Sequence, residues 1–259
     1  MTSLASSAET GKSVVSPSCV LALDTSTPQG GVAIVRAGRV LARQTWQRGR
    51  SHSELLTVTI EACLAEAGIS LSDLDVIAAG KGPGSFTGIR IAINAARTLA
   101  FVLKKPVMAF DTTEIIAAGC ARRDLPVVVL LNAQMNLLFF STFSWDFANQ
   151  TWRREQPLEA LSPAEIESRL TTPHLALGDG YLDYQNLFSA SLRSRLVRDA
   201  SCSDFPDPGT LGLLTNTLGK TDSSLDWIRL QPLYIRASGA EEKLRGDSGP
   251  PERGDREKR

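Results

Sequence analysis

The sequence predicts an α/β fold of two lobes, and three observations carry the prediction. Short apolar runs alternate with helical stretches, and a strand, polar turn, strand pattern near the start returns near the middle. At 259 residues the chain is long enough to bury one large core or two smaller ones. Its 28 basic residues balance 28 acidic ones, so no net positive field draws it to a phosphate backbone or to anionic lipid. No stretch approaches the roughly 20 apolar residues that span a bilayer, so no membrane role is expected and the expected location is the cytoplasm. Residues 1–18 lack an apolar centre and read as a disordered arm, not a signal peptide; residues 237–259, rich in charge, Gly and Pro, read as a disordered tail.

Val20 to Leu23 is an apolar run that ends in the polar stretch Asp24 to Gly30. Gly31 to Val35 alternates into a second strand, Ala37-Gly38 supplies a turn, and Arg39 to Thr45 offers a third. Ser51 and Glu54 have the spacing of a capping box, opening a helix that runs to Ala67 and closes on Gly68. Leu56, Ile60, Cys63, Leu64 and Ala67 share one face of it, while Leu55, Val58, Thr59 and Ala62 leave little charge elsewhere. Asp75 to Ala79 is a buried strand feeding the glycine-rich loop Gly80 to Gly88, and a second helix follows from Ile89 to Leu103. Its polar stripe, Arg90, Asn94 and Arg97, is narrow, and Ala92, Ala95, Ala96 and Ala100 let another helix come close. A sheet covers one side; a partner chain is the simplest cover for the other.

Pro106 to Phe110 is the next strand and Thr112 to Ala121 a third helix. The opening pattern then returns as Val127 to Leu131, a polar turn at Asn132 to Asn136, and Leu137 to Phe143. Ser162 to Glu165 starts a helix to Leu170, with Pro163 at the favoured first position. Leu175 to Leu177 runs into the Gly-rich turn Gly178 to Gly180, Thr210 to Leu218 is a last helix, and Pro232 to Arg236 a short terminal segment. The first lobe is expected over residues 19–109 plus about 206–225, and the second over 110–205.

The glycine-rich loop is the strongest candidate for direct ligand contact, because glycines ahead of a helix permit close backbone approach. Gly82, Gly84, Ser85, Thr87 and Gly88 form a candidate anion site, yet the spacing fits neither a Walker loop nor a dinucleotide fingerprint. A structural strand-to-helix turn is the competing reading. From its neighbours Asp24 reads as a turn residue bonding its own backbone. His52 and His174, the only histidines, are far apart in sequence, and no G-x-S-x-G elbow surrounds Ser85. The four cysteines are scattered without the close spacing of zinc or redox pairs, and are expected as reduced, packed thiols.

Four stretches together resemble the TsaB family: Leu23 to Thr27, Arg50 to Glu54, Gly82 to Arg90 and Pro232 to Arg236, in that order. The resemblance is close from about Val20 to Ala118 and weaker beyond. It implies a duplicated actin-like, ribonuclease H-like fold and a non-catalytic subunit of the complex that makes threonylcarbamoyladenosine in tRNA. The implied partners are a TsaD-like catalytic subunit and a TsaE-like ATPase, which hold the metal and the ATP; the chain needs no cofactor of its own and meets tRNA only through the complex. It further implies that the helices at 51–67 and 89–103 build the TsaD contact, with His52, Leu55, Leu56, Thr59, Ala92, Ala95, Ala96 and Ala100 as the candidate interface. A homodimer through the same helices is expected when the partner is absent. TsaD relatives hold their metal with two histidines four residues apart on a helix; here Thr112 and Ile116 stand at those places. By resemblance to actin-fold ATPases, Asp24 stands where a metal-linked carboxylate is often kept, while Asn132, at the matching place in the second lobe, supplies no negative charge for magnesium; the family commonly has Asp-Ala-Arg where this chain has Asn132-Ala133-Gln134. The competing reading is an ATP-dependent kinase-like or peptidase-like enzyme of the same fold.

Overall fold

A computed structural model describes residues 19–47, 51–218 and 227–235. The expectations for residues 1–18, 219–225 and 237–259 lie outside the described residues, as do Arg50 and Arg236.

Two five-stranded mixed sheets form the body. The first contains β1 (Cys19–Asp24), β2 (Gly30–Arg36), β3 (Arg39–Trp46), β4 (Val76–Gly80) and β5 (Val107–Phe110) in the order β3-β2-β1-β4-β5. The second contains β6 (Val127–Asn132), β7 (Leu138–Asp146), β8 (Thr151–Leu161), β9 (His174–Leu177) and β10 (Leu196–Val197) in the order β8-β7-β6-β9-β10. In each, three strands run as an antiparallel meander and two more add in parallel to the other side of the first strand. Identical order and direction in both sheets is the duplicated arrangement expected of the actin-like fold.

The helices are α1 (His52–Ala67), α2 (Phe86–Leu103), α3 (Thr112–Gly119), α4 (Pro163–Arg169), α5 (Asp179–Tyr184), α6 (Ala190–Arg195) and α7 (Pro208–Leu218). Alternation along the strands decides which of them cover which face. Cys19, Leu21 and Leu23 pack with Leu56 and Ile60 of α1 and with Ile89 and Ile93 of α2. Val20 and Ala22 point the other way, onto Ile115 of α3 and Leu211 of α7. In the second sheet, Val127, Val129 and Leu131 meet Ile116 and Ala117 of α3, while Val128 and Leu130 meet Ile166 of α4 and Leu192 of α6. Helix α3 therefore lies between the sheets, giving Ile115 to one core and Ile116 to the other.

Several local expectations change. Ser51 caps α1 without a side-chain bond, because its Oγ is engaged with Ser53 Oγ at 2.6 Å; the capping box is absent there. Helix α2 starts at Phe86, not Ile89, since Ser85 Oγ accepts from the Gly88 N–H at 3.2 Å and draws Thr87 and Gly88 into the first turn. His174, just ahead of the run read as a strand from Leu175, is buried at the head of β9, with Nδ1 2.8 Å from the Thr172 carbonyl. Strand β8 escapes sequence reading because Arg153, Glu155 and Pro157 on its exposed side give it the look of a loop. By length and composition α2 could cross a membrane, but Ile89, Ala92, Ile93, Ala96 and Ala100 are buried on the first sheet, as in a core helix.

Candidate functional site

Three of the sequence stretches singled out above converge at the carboxyl end of β1. Asp24, 1% exposed, turns its Oδ1 to the Ser26 N–H at 2.9 Å and the Ser26 hydroxyl at 2.8 Å. Its Oδ2 is buried and, among the described residues, has no hydrogen-bond partner; it lies against Gly80, where an added Cβ would fall 1.7 Å from it. Burial raises the Asp24 pKa to about 6, against the lowering effect of the two Ser26 bonds. The Ser26 hydroxyl also accepts from Thr112 Oγ1 at 2.9 Å, which links β1 to the head of α3.

The glycine-rich loop presses onto this turn. A Cβ on Gly84 (φ 153°) would sit 2.0 Å from the Ser26 carbonyl oxygen, and one on Gly88 1.9 Å from that of Thr25. The Ser85 N–H donates to the Ser26 carbonyl at 2.7 Å, and Thr25 Oγ1 donates to the Gly88 carbonyl at 2.7 Å. The close approach that Gly82, Gly84, Ser85, Thr87 and Gly88 were expected to offer an anion is thus given, at Gly84 and Gly88, to the chain's own backbone. From the far end of the sequence, the Leu233 N–H donates to the Lys81 carbonyl at 2.7 Å, and the Leu233 carbonyl oxygen lies 2.9 Å from where a Gly82 Cβ would be. Tyr234 stacks on Phe86 at 4.8 Å, and Arg90 lies over the Phe86 ring at 3.8 Å while donating to the Tyr234 hydroxyl. The terminal segment covers the loop.

A charged strut stands beside it. Asp111 pairs with Lys81 at 3.1 Å and with Arg154 of β8 at 2.6 Å; Arg154 also reaches Glu114 at 3.1 Å. Burial, then the neighbouring Asp111 charge, raises the Glu114 pKa. The positions compared with metal-holding histidines are engaged differently: Thr112 bonds Ser26, and Ile116 is buried in the second lobe's core. Among the described residues, no group of three or more His, Cys, Asp or Glu is placed to hold a metal. His52 Nδ1 accepts from Trp46 Nε1 at 3.0 Å, and Ser85 serves as a helix cap.

At the equivalent place in the second lobe, Asn132 Oδ1 accepts from the Gln134 N–H at 2.8 Å and from the Tyr184 hydroxyl at 3.1 Å. Its Nδ2 donates to Asp183 at 2.6 Å, and its N–H to Asp179 at 3.1 Å. Gln134, Met135 and Asn136 all have positive φ, at 63°, 52° and 60°. Burial, with charges from Asp183 and Asp204, raises the Asp179 pKa to about 6.

The two candidate interface helices lie side by side on the first sheet, but not all the expected residues face outward. Leu56, Thr59, Ala92, Ala96 and Ala100 are buried within the first lobe, where the small residues of α2 seat it on β4. His52, Leu55 and Ala95 are half-buried. The outward stripe is instead Leu55, Val58, Ala62 and Ala65 on α1 and Ile91, Ala95, Thr98 and Val102 on α2. Val58 is 54% exposed and Val102 65%, and neither stripe carries a charge. Residue types already point to Leu55, Val58 and Ala62 on α1; the α2 half is selected by the phase of that helix on the sheet.

Comparison with known proteins adds the following. The model of the family described as TsaD, tRNA N6-adenosine threonylcarbamoyltransferase, matches residues 40–164. The tRNA threonylcarbamoyladenosine biosynthesis protein TsaB of Escherichia coli (strain K12) is 27% identical over 232 residues, 88% of this chain and 98% of that protein. The protein of the same description from Buchnera aphidicola subsp. Schizaphis graminum is 30% identical over 169 residues, 62% of this chain and 79% of the relative. Among solved structures, an uncharacterized protein with similarity to peptidase YEAZ from Pseudomonas aeruginosa superposes with a TM-score of 0.73 at 29% identity. The match covers 85% of this chain and all of that one.

Proposed function

This chain belongs to the TsaB family, and on that premise we propose that it serves threonylcarbamoyladenosine synthesis in tRNA as a non-catalytic subunit. It binds and activates a TsaD-like catalytic partner, with a TsaE-like ATPase as the third member; metal and ATP belong to those partners, and tRNA is met only through them. The observation that carries the non-catalytic reading is how the loop is filled. Thr25 and Ser26 occupy the space beside Gly84 and Gly88, Leu233 lies over Gly82, and Thr112 and Ile116 are committed to internal contacts. A buried turn of this kind supports a scaffold better than a kinase site, which needs an open phosphate cradle and a second-lobe carboxylate where Asn132 stands. The word peptidase in the description of the Pseudomonas relative finds no support in the nearest candidates, since Ser85 caps α2 and the two imidazoles are bonded to Trp46 and to the Thr172 carbonyl.

The partner-binding face is the uncharged outer stripe of α1 and α2, and in isolation the same face pairs two copies. Val58→Asp combined with Val102→Asp leaves the core intact and should weaken binding to the TsaD-like partner at least about tenfold in a titration of the two purified chains. An unchanged affinity removes this face from the proposal. Depleting the chain from cells should remove threonylcarbamoyladenosine from digested tRNA by mass spectrometry; retention of the nucleoside overturns the functional reading itself.

A further inference from the structure

We propose that Cys120 and Cys202 are an oxidation site: they form an intrachain disulfide when the protein meets a small peroxide. The pair lies away from the α1–α2 face, so this inference does not depend on the partner reading. Sequence spacing conceals it, since 82 positions separate the two residues, yet their Sγ atoms lie 3.1 Å apart. Closing to a bond of about 2.0 Å requires a movement of about 1 Å, within the reach of small side-chain rotations.

The backbone already holds both thiols in place. Cys120 ends α3, its N–H donating to the Ala117 carbonyl at 3.1 Å, and Cys202 sits in a turn where its N–H donates to the Asp199 carbonyl at 3.2 Å. Arg122 bridges the two segments, pairing with Asp199 at 3.2 Å. Gly119, Ser201 and Ser203, which flank the pair, line a cleft of about 380 Å³ together with Arg43 and Asp207. Cys202 is 7% exposed and Cys120 1%, so the peroxide meets Cys202 first.

The chemistry balances without a further reagent. The Cys202 sulfur attacks one peroxide oxygen; the O–O bond breaks, the departing hydroxide takes the Cys202 thiol proton as water, and a sulfenic acid forms. Cys120 sulfur then attacks that sulfur, the S–O bond breaks, and the departing hydroxide takes the Cys120 proton as water. In sum, two thiols and one hydrogen peroxide give one disulfide and two waters. Burial pushes the Cys120 thiol pKa up, so Cys120 loses its proton only as the new bond forms, to the hydroxide leaving Cys202 3.1 Å away. Cys19 and Cys63, buried in the first lobe's core, serve as internal controls.

The test is peptide mapping of the full chain under non-reducing conditions, after hydrogen peroxide and again after dithiothreitol. The expected result is a linked peptide pair carrying Cys120 and Cys202, two hydrogens lighter than the reduced pair and lost on reduction. Because the bond closes a long loop around the second lobe, the thermal midpoint should rise by several degrees in the oxidised form. In Cys120→Ser the reaction should stop at a Cys202 sulfenic acid captured by dimedone. Over-oxidation of Cys202 without a link, links through Cys19 or Cys63, or a pair that stays reduced under peroxide while the unfolded chain oxidises would each overturn the proposal. The linked peptide is read in the unsubstituted chain, so the outcome does not depend on how a variant folds.

Discussion

The turn after β1 and the turn after β6 hold equivalent places in the two sheets, and the same bond closes both. Asp24 Oδ1 accepts from the Ser26 N–H at 2.9 Å, and Asn132 Oδ1 accepts from the Gln134 N–H at 2.8 Å. What covers them differs. The first turn lies under the glycine-rich loop and the terminal segment, with Asp24, Thr25, Ser26 and Thr27 all buried. The second is open, with Gln134, Met135 and Asn136 exposed. Shared topology therefore leaves the chemistry of a strand end undecided; the segments laid over it set the solvation of its polar groups. In the first lobe that cover leaves a carboxyl oxygen buried with no hydrogen-bond partner among the described residues, whereas in the second a neutral amide does the same turn-forming work with its polar atoms engaged.

The sharpest way to break this comparison is to force the covered turn apart. Gly84→Ala sets a Cβ 2.0 Å from the Ser26 carbonyl at a φ of 153°, and should destabilise the protein by about 3–4 kcal/mol in denaturant melts. Gly38→Ala is the control, since it meets nothing within 4 Å at a φ of 73° and should cost only about 1 kcal/mol of backbone strain. Equal losses would show that conformation, not contact with the β1 turn, makes Gly84 necessary.

The pH dependence of stability comes next. Asp24 has its folded pKa raised from 3.8 to about 6, so the native state holds the proton more tightly than the unfolded chain. Stability is therefore lost as pH rises from about 4 to about 6, by an amount of order 3 kcal/mol at about 1.4 kcal/mol per pKa unit. Asp24→Asn should flatten that slope and leave stability near pH 7 little changed, as lost charge burial is offset by an unpaired amide donor. Asp179 has the same direction and its pKa is also about 6, but part of its shift comes from the charges of Asp183 and Asp204. Its share of the slope should shrink when salt is added, while the Asp24 share, set by burial, should persist. Urea melts of Asp24→Asn and Asp179→Asn at pH 4 and pH 7, at low and high salt, check both statements.

The smallest expected effect sharpens the open side. Asn136→Gly relieves a φ of 60° at an exposed position and should stabilise the chain by about 0.5 kcal/mol or less, because asparagine tolerates this conformation better than most residues. A loss above 1 kcal/mol would mean that the open turn is held by contacts of its side chain after all.

Much of the local structure is legible in residue order. Gly68 ends α1 in the left-handed conformation at φ 65°, and Ser162 with Glu165 forms a capping box at the head of α4. Both signals are local, since donor and acceptor lie within a few positions. The candidate site is legible only in outline. Gly84 and Gly88 stand out as positions needing close approach, but which chain approaches them is a long-range fact. The same limit explains Ala92, Ala96 and Ala100: small residues announce a close neighbour without saying whether it is a sheet or a partner. It also explains Cys120 and Cys202, invisible as a pair until α3 and the 199–205 segment are brought together.

Taken alone, the sequence determined most of the longer strands and helices, the doubled strand-turn-strand pattern and the family, because periodicity, caps and motifs are properties of neighbours along the chain. Tertiary structure alone decided that Leu233 and Tyr234 cover the glycine-rich loop, that Asp24 is cut off from water, and that Val58 and Val102 face outward. Those outcomes depend on which surfaces meet across more than a hundred residues, and on the helix phase that packing against a sheet selects.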